Sequence, residues 1–130
     1  MRSWISILFF CLLLSDFIAA QDAVEDSLNS VLLKSVEDTN KVKTYYELIK
    51  RIRKYDFDRA EKLAQEQLAL SQKLKFPWGI GKSHNAMGLI EVGRKRAYAA
   101  IAHFNSGGAV FESVKDFGNL QYSLYFKRSN

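Results

Sequence analysis

Apolar residues recur along most of the chain at spacings of three and four, the period of one helix face. Val24, Leu28, Val31, Leu32 and Val36 form such a stripe and predict a leading helix within residues 21–37. Asp38, Thr39 and Asn40 then interrupt it with side chains suited to a helix N-cap. Tyr45, Leu48, Ile49 and Ile52 mark a helix over 41–54, and the Tyr55–Asp58 stretch makes a tight connection. Ala60, Leu63, Ala64, Leu68, Ser71 and Leu74 predict the next helix over 59–74. Phe76, Pro77, Trp78 and Gly79 punctuate, because proline removes a donor and restricts the residue before it. Ile80, Ala86, Met87, Leu89 and Ile90 predict a helix over 80–92, with Gly93 as its C-cap. Ala100, Ile101, Phe104, Val110, Phe111 and Val114 carry the pattern over 97–114. After a turn at 116–119, Leu120 to Phe126 is a last apolar segment, short enough that 121–126 also admits a strand. The pattern predicts an all-α chain of antiparallel helices joined by short turns.

The amino terminus is patterned differently. Arg2 precedes an almost unbroken apolar run from Trp4 to Leu14, followed by Ser15, Asp16 and the small residues Ala19 and Ala20. A positive end, a short apolar core and a small-residue site are the parts of a secretory signal. The run is short of the roughly 20 residues that span a bilayer. The sequence therefore predicts a signal peptide over 1–20, cleavage near Ala20, and an exported product.

Composition narrows the chemistry. The only cysteine, Cys11, lies in the signal, so the mature chain has no disulfide framework, thiolate metal site or cysteine nucleophile. Only His84 and His103 carry imidazoles, and no acid is spaced to orient either for catalysis. Both read as partly exposed helix residues. Asp56 and Asp58 bracket Phe57 in a turn and read as capping residues. Trp78 reads as a packed lid over a helix connection. No phosphate-binding glycine loop and no metal-ligand spacing is present in the sequence. The expectation is a chain without catalysis, cofactor or metal.

The net charge is +5, and loss of the signal leaves it unchanged because Arg2 and Asp16 depart together. Lys50, Arg51, Arg53 and Lys54 form one basic cluster, and Arg94, Lys95 and Arg96 another. Both read as solvated helix ends, where cations complement the helix dipole. A basic balance suits nucleic acid, anionic lipid or an acidic protein. Export sets nucleic acid aside and favours a protein or peptide over a membrane surface.

The chain also repeats itself. A shift of forty residues lays Ala60 on Ala100, Ile49 on Leu89, Ile52 on Val92, Leu70 on Val110, Leu74 on Val114 and Ile80 on Leu120. A period of this length built from two helices marks a helical repeat array. Within the better unit, Gly88 and Ala100 are twelve apart, followed by Phe104 and Gly107. In this arrangement the segment from Asp38 to Leu120 resembles tetratricopeptide repeats in their longer form. The resemblance implies a small residue at Gly88 packing against Ala100, with Phe104 and Gly107 at the next consensus places. The first unit keeps Ala60 but has Leu48, Ala64 and Gln67 where small, aromatic and small residues are usual. Repeat 1 then covers 38–77, repeat 2 covers 78–117, and 118–130 is a partial third repeat or tail. Gly108 stands where a larger apolar residue would normally pack, and a mid-helix glycine costs about 1 kcal/mol against alanine.

The resemblance implies a short right-handed solenoid whose concave groove takes a peptide or partner helix. Tyr46, Lys50, Arg53, Lys82 and Asn85 are the groove candidates, with Glu91 beside them. The three cations suit an acidic segment, and Asn85 suits a peptide backbone. The implied function is an exported, non-catalytic protein-interaction module. The alternative is the truncated extracytoplasmic sensory region of a bacterial signalling protein, a histidine kinase or transcription regulator, to whose amino-terminal regions such arrays are similar. Self-association or the partner would supply the missing third repeat.

Overall fold

The computed structural model describes residues 2–129, and of residue 2 and residues 12–21 the backbone alone. The expected cleavage point at Ala20 lies outside the residues whose side chains are described. Six helices follow in order: α1 (Arg2–Lys34), α2 (Thr39–Ile52), α3 (Phe57–Lys73), α4 (Pro77–Gly93), α5 (Ala97–Ser113) and α6 (Phe117–Ser129). No strand occurs among the described residues, and the 121–126 stretch lies inside α6. No helix among them is long and apolar enough to cross a membrane.

The chain divides into two compact units, one ending at Lys34 and one beginning at Ser35. The first is α1 alone. The expected leading helix over 21–37 is the carboxyl-terminal part of this single helix, which continues without a break from Arg2 but ends at Lys34, leaving Val36 outside it and exposed. Trp4, Ile5, Ile7, Leu8, Phe9 and Phe10 are exposed along it.

In the second unit each helix packs on the next, from α2 through α6, and α2 also meets α4. Ile49, Ala64, Ala86 and Met87 form a buried cluster with Tyr45, Leu63 and Leu68 against it. The alanines let α3 and α4 approach while the larger residues fill the space between them. Asp38 caps α2 by accepting from the Lys41 N–H, and Asp56 caps α3 by accepting from the Arg59 N–H. Pro77 sits in the first turn of α4, where its missing N–H costs nothing. The expected punctuation at 76–79 is therefore the start of a helix rather than a loop.

Three of the four turns within the second unit are copies of one another. Lys75, Lys95 and Lys115 all have left-handed backbones, with φ of 51°, 60° and 56°. In each turn the following N–H reaches back five residues: Phe76 to Ser71 O, Arg96 to Glu91 O and Asp116 to Phe111 O, at 2.8–2.9 Å. The lysine N–H bonds three residues back, to Gln72, Val92 and Glu112. This double closure is a Schellman motif. The α2–α3 turn differs, closing through the Asp56 N–H to Ile52 O at 2.8 Å with no left-handed residue.

Gly93 corrects an expectation. It is the last residue of α4 and does not take the left-handed conformation, which falls on Lys95. Its missing side chain admits a ring instead, since a Cβ there would come 2.6 Å from Phe57 Cε1. Gly88 has a close neighbour besides the expected one. The atoms nearest its absent Cβ belong to the ring of Phe104, at 2.7 Å, rather than to Ala100. Ala100 and Phe104 are both buried, so the α4–α5 contact is small residue against ring, one turn beyond the expected alanine.

In the second basic cluster Lys95 and Arg96 are exposed, as expected of a helix end, but Arg94 is not. Arg94 is only 14% exposed and joins three carboxylates: Asp58 at 2.5 Å, Glu61 at 2.8 Å and Glu91 at 2.8 Å. It ties the start of α3 to the end of α4.

Candidate functional site

The spacing of α2 places Tyr46, Ile49, Lys50 and Arg53 on one face, and the same spacing on α4 places Lys82, Asn85, Ala86 and Leu89 on one face. These two faces line a single cleft, which Tyr122 of α6 completes. All five groove candidates from the sequence are thus brought together: Tyr46, Lys50, Arg53, Lys82 and Asn85. Glu91 is not among the lining residues. It is buried and paired with Arg94 and, at 3.5 Å, with Arg96, so its expected place at the groove is corrected. The cleft holds about 90 Å³, room for a side chain.

Its electrostatics are dominated by three cations. Lys50 pairs with Glu47 at 3.2 Å on the exposed side and lies 5.2 Å from the ring centre of Tyr46. Lys82 is held among three rings, 5.4 Å from Tyr46, 5.8 Å from Trp78 and 5.4 Å from Tyr122. Ring faces attract a cation, so this ammonium is fixed in place as well as partly desolvated. Burial pushes it below the ordinary lysine range; the Asp116 carboxylate opposes this and the Lys50 charge adds to it. Trp78 meets Tyr46 edge to face at 5.4 Å and lies 5.7 Å from Phe76, which packs the lid expected of it.

Two donors at the cleft are buried without a partner, Arg53 Nε and Asn85 Nδ2. Asn85 is held from the other side, where its Oδ1 accepts from Ser123 Oγ at 3.0 Å. Gly107 makes room for that oxygen, because a Cβ there would lie 2.5 Å from it. The expected small residue at Gly107 therefore has a direct role in seating Asn85. Buried donors left unpaired cost free energy that an incoming acceptor recovers.

Sequence reasoning missed Tyr122 at this site. The signal was present, because Tyr122 stands forty residues after Lys82, at the matching place on the next first helix. It also missed that His84 and His103 meet, with ring centres 6.1 Å apart.

No family model matches the chain, and no match is found among curated proteins or among solved structures.

Proposed function

We propose that this chain is an exported, non-catalytic interaction module whose α2–α4–α6 cleft grips an acidic peptide or partner helix. In this reading residues 1–20 are a signal peptide, and the helices after them form a short right-handed solenoid of tetratricopeptide-like hairpins. The repeated turns and the small-against-ring packing of α4 on α5 support the repeat assignment.

One observation carries the function. Lys50, Arg53 and Lys82 line one cleft with two buried donors, Arg53 Nε and Asn85 Nδ2, that lack acceptors. A carboxylate is the group that answers all of these at once, accepting hydrogen bonds while neutralising positive charge. Lys82 is already immobilised among rings, so little side-chain freedom is lost when it is engaged.

The test is fluorescence anisotropy of labelled acidic peptides, with a basic peptide of equal length as control. Saturable binding of the acidic peptides is expected, weakening as salt rises. Lys50→Glu and Asn85→Ala are each expected to weaken it by about tenfold or more. Unchanged affinity in both variants would sink the cleft assignment.

A further inference from the structure

A second constellation lies away from the cleft. His84 of α4 and His103 of α5 are both half-buried, with ring centres 6.1 Å apart and planes tilted by 32°. The Nδ1 of His84 is buried and has no hydrogen-bond partner. Neither ring is used by the proposed peptide cleft.

We propose that His84 and His103 form a two-histidine site for a divalent transition ion that favours imidazole nitrogen: Cu²⁺, Ni²⁺ or Zn²⁺. The geometry carries it. An ion about 2.1 Å from one nitrogen of each ring keeps the ring centres within roughly 6.4 Å of one another. The observed separation falls inside that limit, so small rotations of two half-buried side chains close the site. The rings sit on adjacent packed helices, which hold them together without the cost of ordering a loop. The unpaired His84 nitrogen is the orphaned group that a metal–imidazole bond, or a water ordered behind it, would satisfy.

Protonation state favours binding as well. Burial lowers the proton affinity of His84, and the His103 charge lowers it further, so a neutral ring with a free lone pair is present at neutral pH. No group of three or more His, Cys, Asp or Glu side chains converges among the described residues. The pair therefore supplies two ligands and leaves the other positions to water or to a partner's side chain. A site with two neutral ligands selects imidazole-seeking ions and rejects Mg²⁺ and Ca²⁺, which require oxygen ligands.

The test is titration of the full chain with Cu²⁺, read by electron paramagnetic resonance and by proton NMR of the imidazoles. One ion per chain with two nitrogen ligands is expected, and both imidazole signals broaden first at substoichiometric Cu²⁺. His84→Gln and His103→Gln are each expected to lower the affinity by about tenfold or more, and the double variant by more than either alone. Binding should also fall as pH drops below the histidine range. Affinity in both single variants equal to that of the unsubstituted chain, loss in only one of them, or broadening of one imidazole alone would overturn the pair. The NMR measurement uses the unsubstituted chain, so it decides the matter even where a variant fails to fold.

Discussion

Gly107 and Asn85 fit one another: the oxygen of the amide lies 2.5 Å from where a glycine Cβ would stand, and the Gly81 carbonyl oxygen lies 3.0 Å from the same point. The next residue faces different surroundings. A Cβ at Gly108 would meet Leu120 Cδ1 at 3.5 Å and Ser123 Cβ at 3.6 Å, ordinary contact distances. The two neighbours should therefore respond oppositely to the same change. Gly107→Ala is expected to destabilise by about 1–3 kcal/mol through overpacking and to weaken peptide binding by displacing Asn85. Gly108→Ala is expected to stabilise by about 1 kcal/mol, the helix propensity difference. Urea denaturation of the two variants checks both signs.

The left-handed lysines predict a second gain. A residue with a side chain pays about 1–2 kcal/mol to adopt this backbone, and glycine does not. Replacing Lys95 by glycine relieves that strain and returns part of the gain as unfolded-state entropy. The expected net effect is stabilisation of about 0.5–1 kcal/mol. Lys75→Gly and Lys115→Gly should behave alike, because the three turns share one geometry. Tyr55→Gly, in the turn without a left-handed residue, should not stabilise. Thermal melts of the four variants separate these outcomes.

Arg94 predicts a loss. Its removal leaves the buried Glu91 with only the longer contact to Arg96 and severs α3 from α4 at Asp58 and Glu61. Arg94→Ala is expected to cost about 2 kcal/mol, mostly from stranding a buried carboxylate. Arg94→Ala combined with Glu91→Gln should recover part of that loss in a denaturation series.

His84 predicts how stability depends on pH. Its folded proton affinity is depressed, first by burial and then by His103, so the unfolded chain binds the proton more tightly. The stabilising difference is therefore fully present above the ordinary histidine value of 6.5 and is lost as pH falls through the folded value. Stability should drop as pH falls below 6.5, before the carboxylates of Glu37 and Asp116, both held below their ordinary values, take up protons. In His84→Gln the drop should be smaller. A profile that is the same in both proteins would count against the assignment.

Much of the fold could be read from the chain. The stripes through Ile49, Ala64 and Met87 located α2, α3 and α4, because helix periodicity records which face is buried. Helix ends were less legible: α2 and α3 each begin two residues before their expected starts, because Thr39, Asn40, Phe57 and Asp58 read as a polar break and a tight connection, yet they form the opening residues of helices. The same limit hid the first turn of α4. Its proline marks a break in sequence, yet it is a suitable first helical residue in space. The cleft was legible because residues three apart share a helix face, which brings Lys50 beside Arg53 on α2 and Lys82 beside Asn85 on α4. Pairing between distant elements was not. Glu91 is a surface-type residue by composition, and its pairing with Arg94 and Arg96 explains why it is buried. Nothing local to Gly88 shows that a ring from the neighbouring helix, rather than the methyl of Ala100, lies nearest the absent Cβ.

The matching turns at Lys75 and Lys115 bear on how this chain can change length. The two turns share their left-handed residue and both closing hydrogen bonds. A duplicate of residues 76–115 inserted after Lys115 would enter and leave through identical backbone geometry. The joints meet compatible side chains too, since Ile80 and Ser83 stand where Leu120 and Ser123 pack beside Gly108. Growth or shrinkage by recombination can thus proceed in whole quanta of forty residues, with no new loop to invent at the splice.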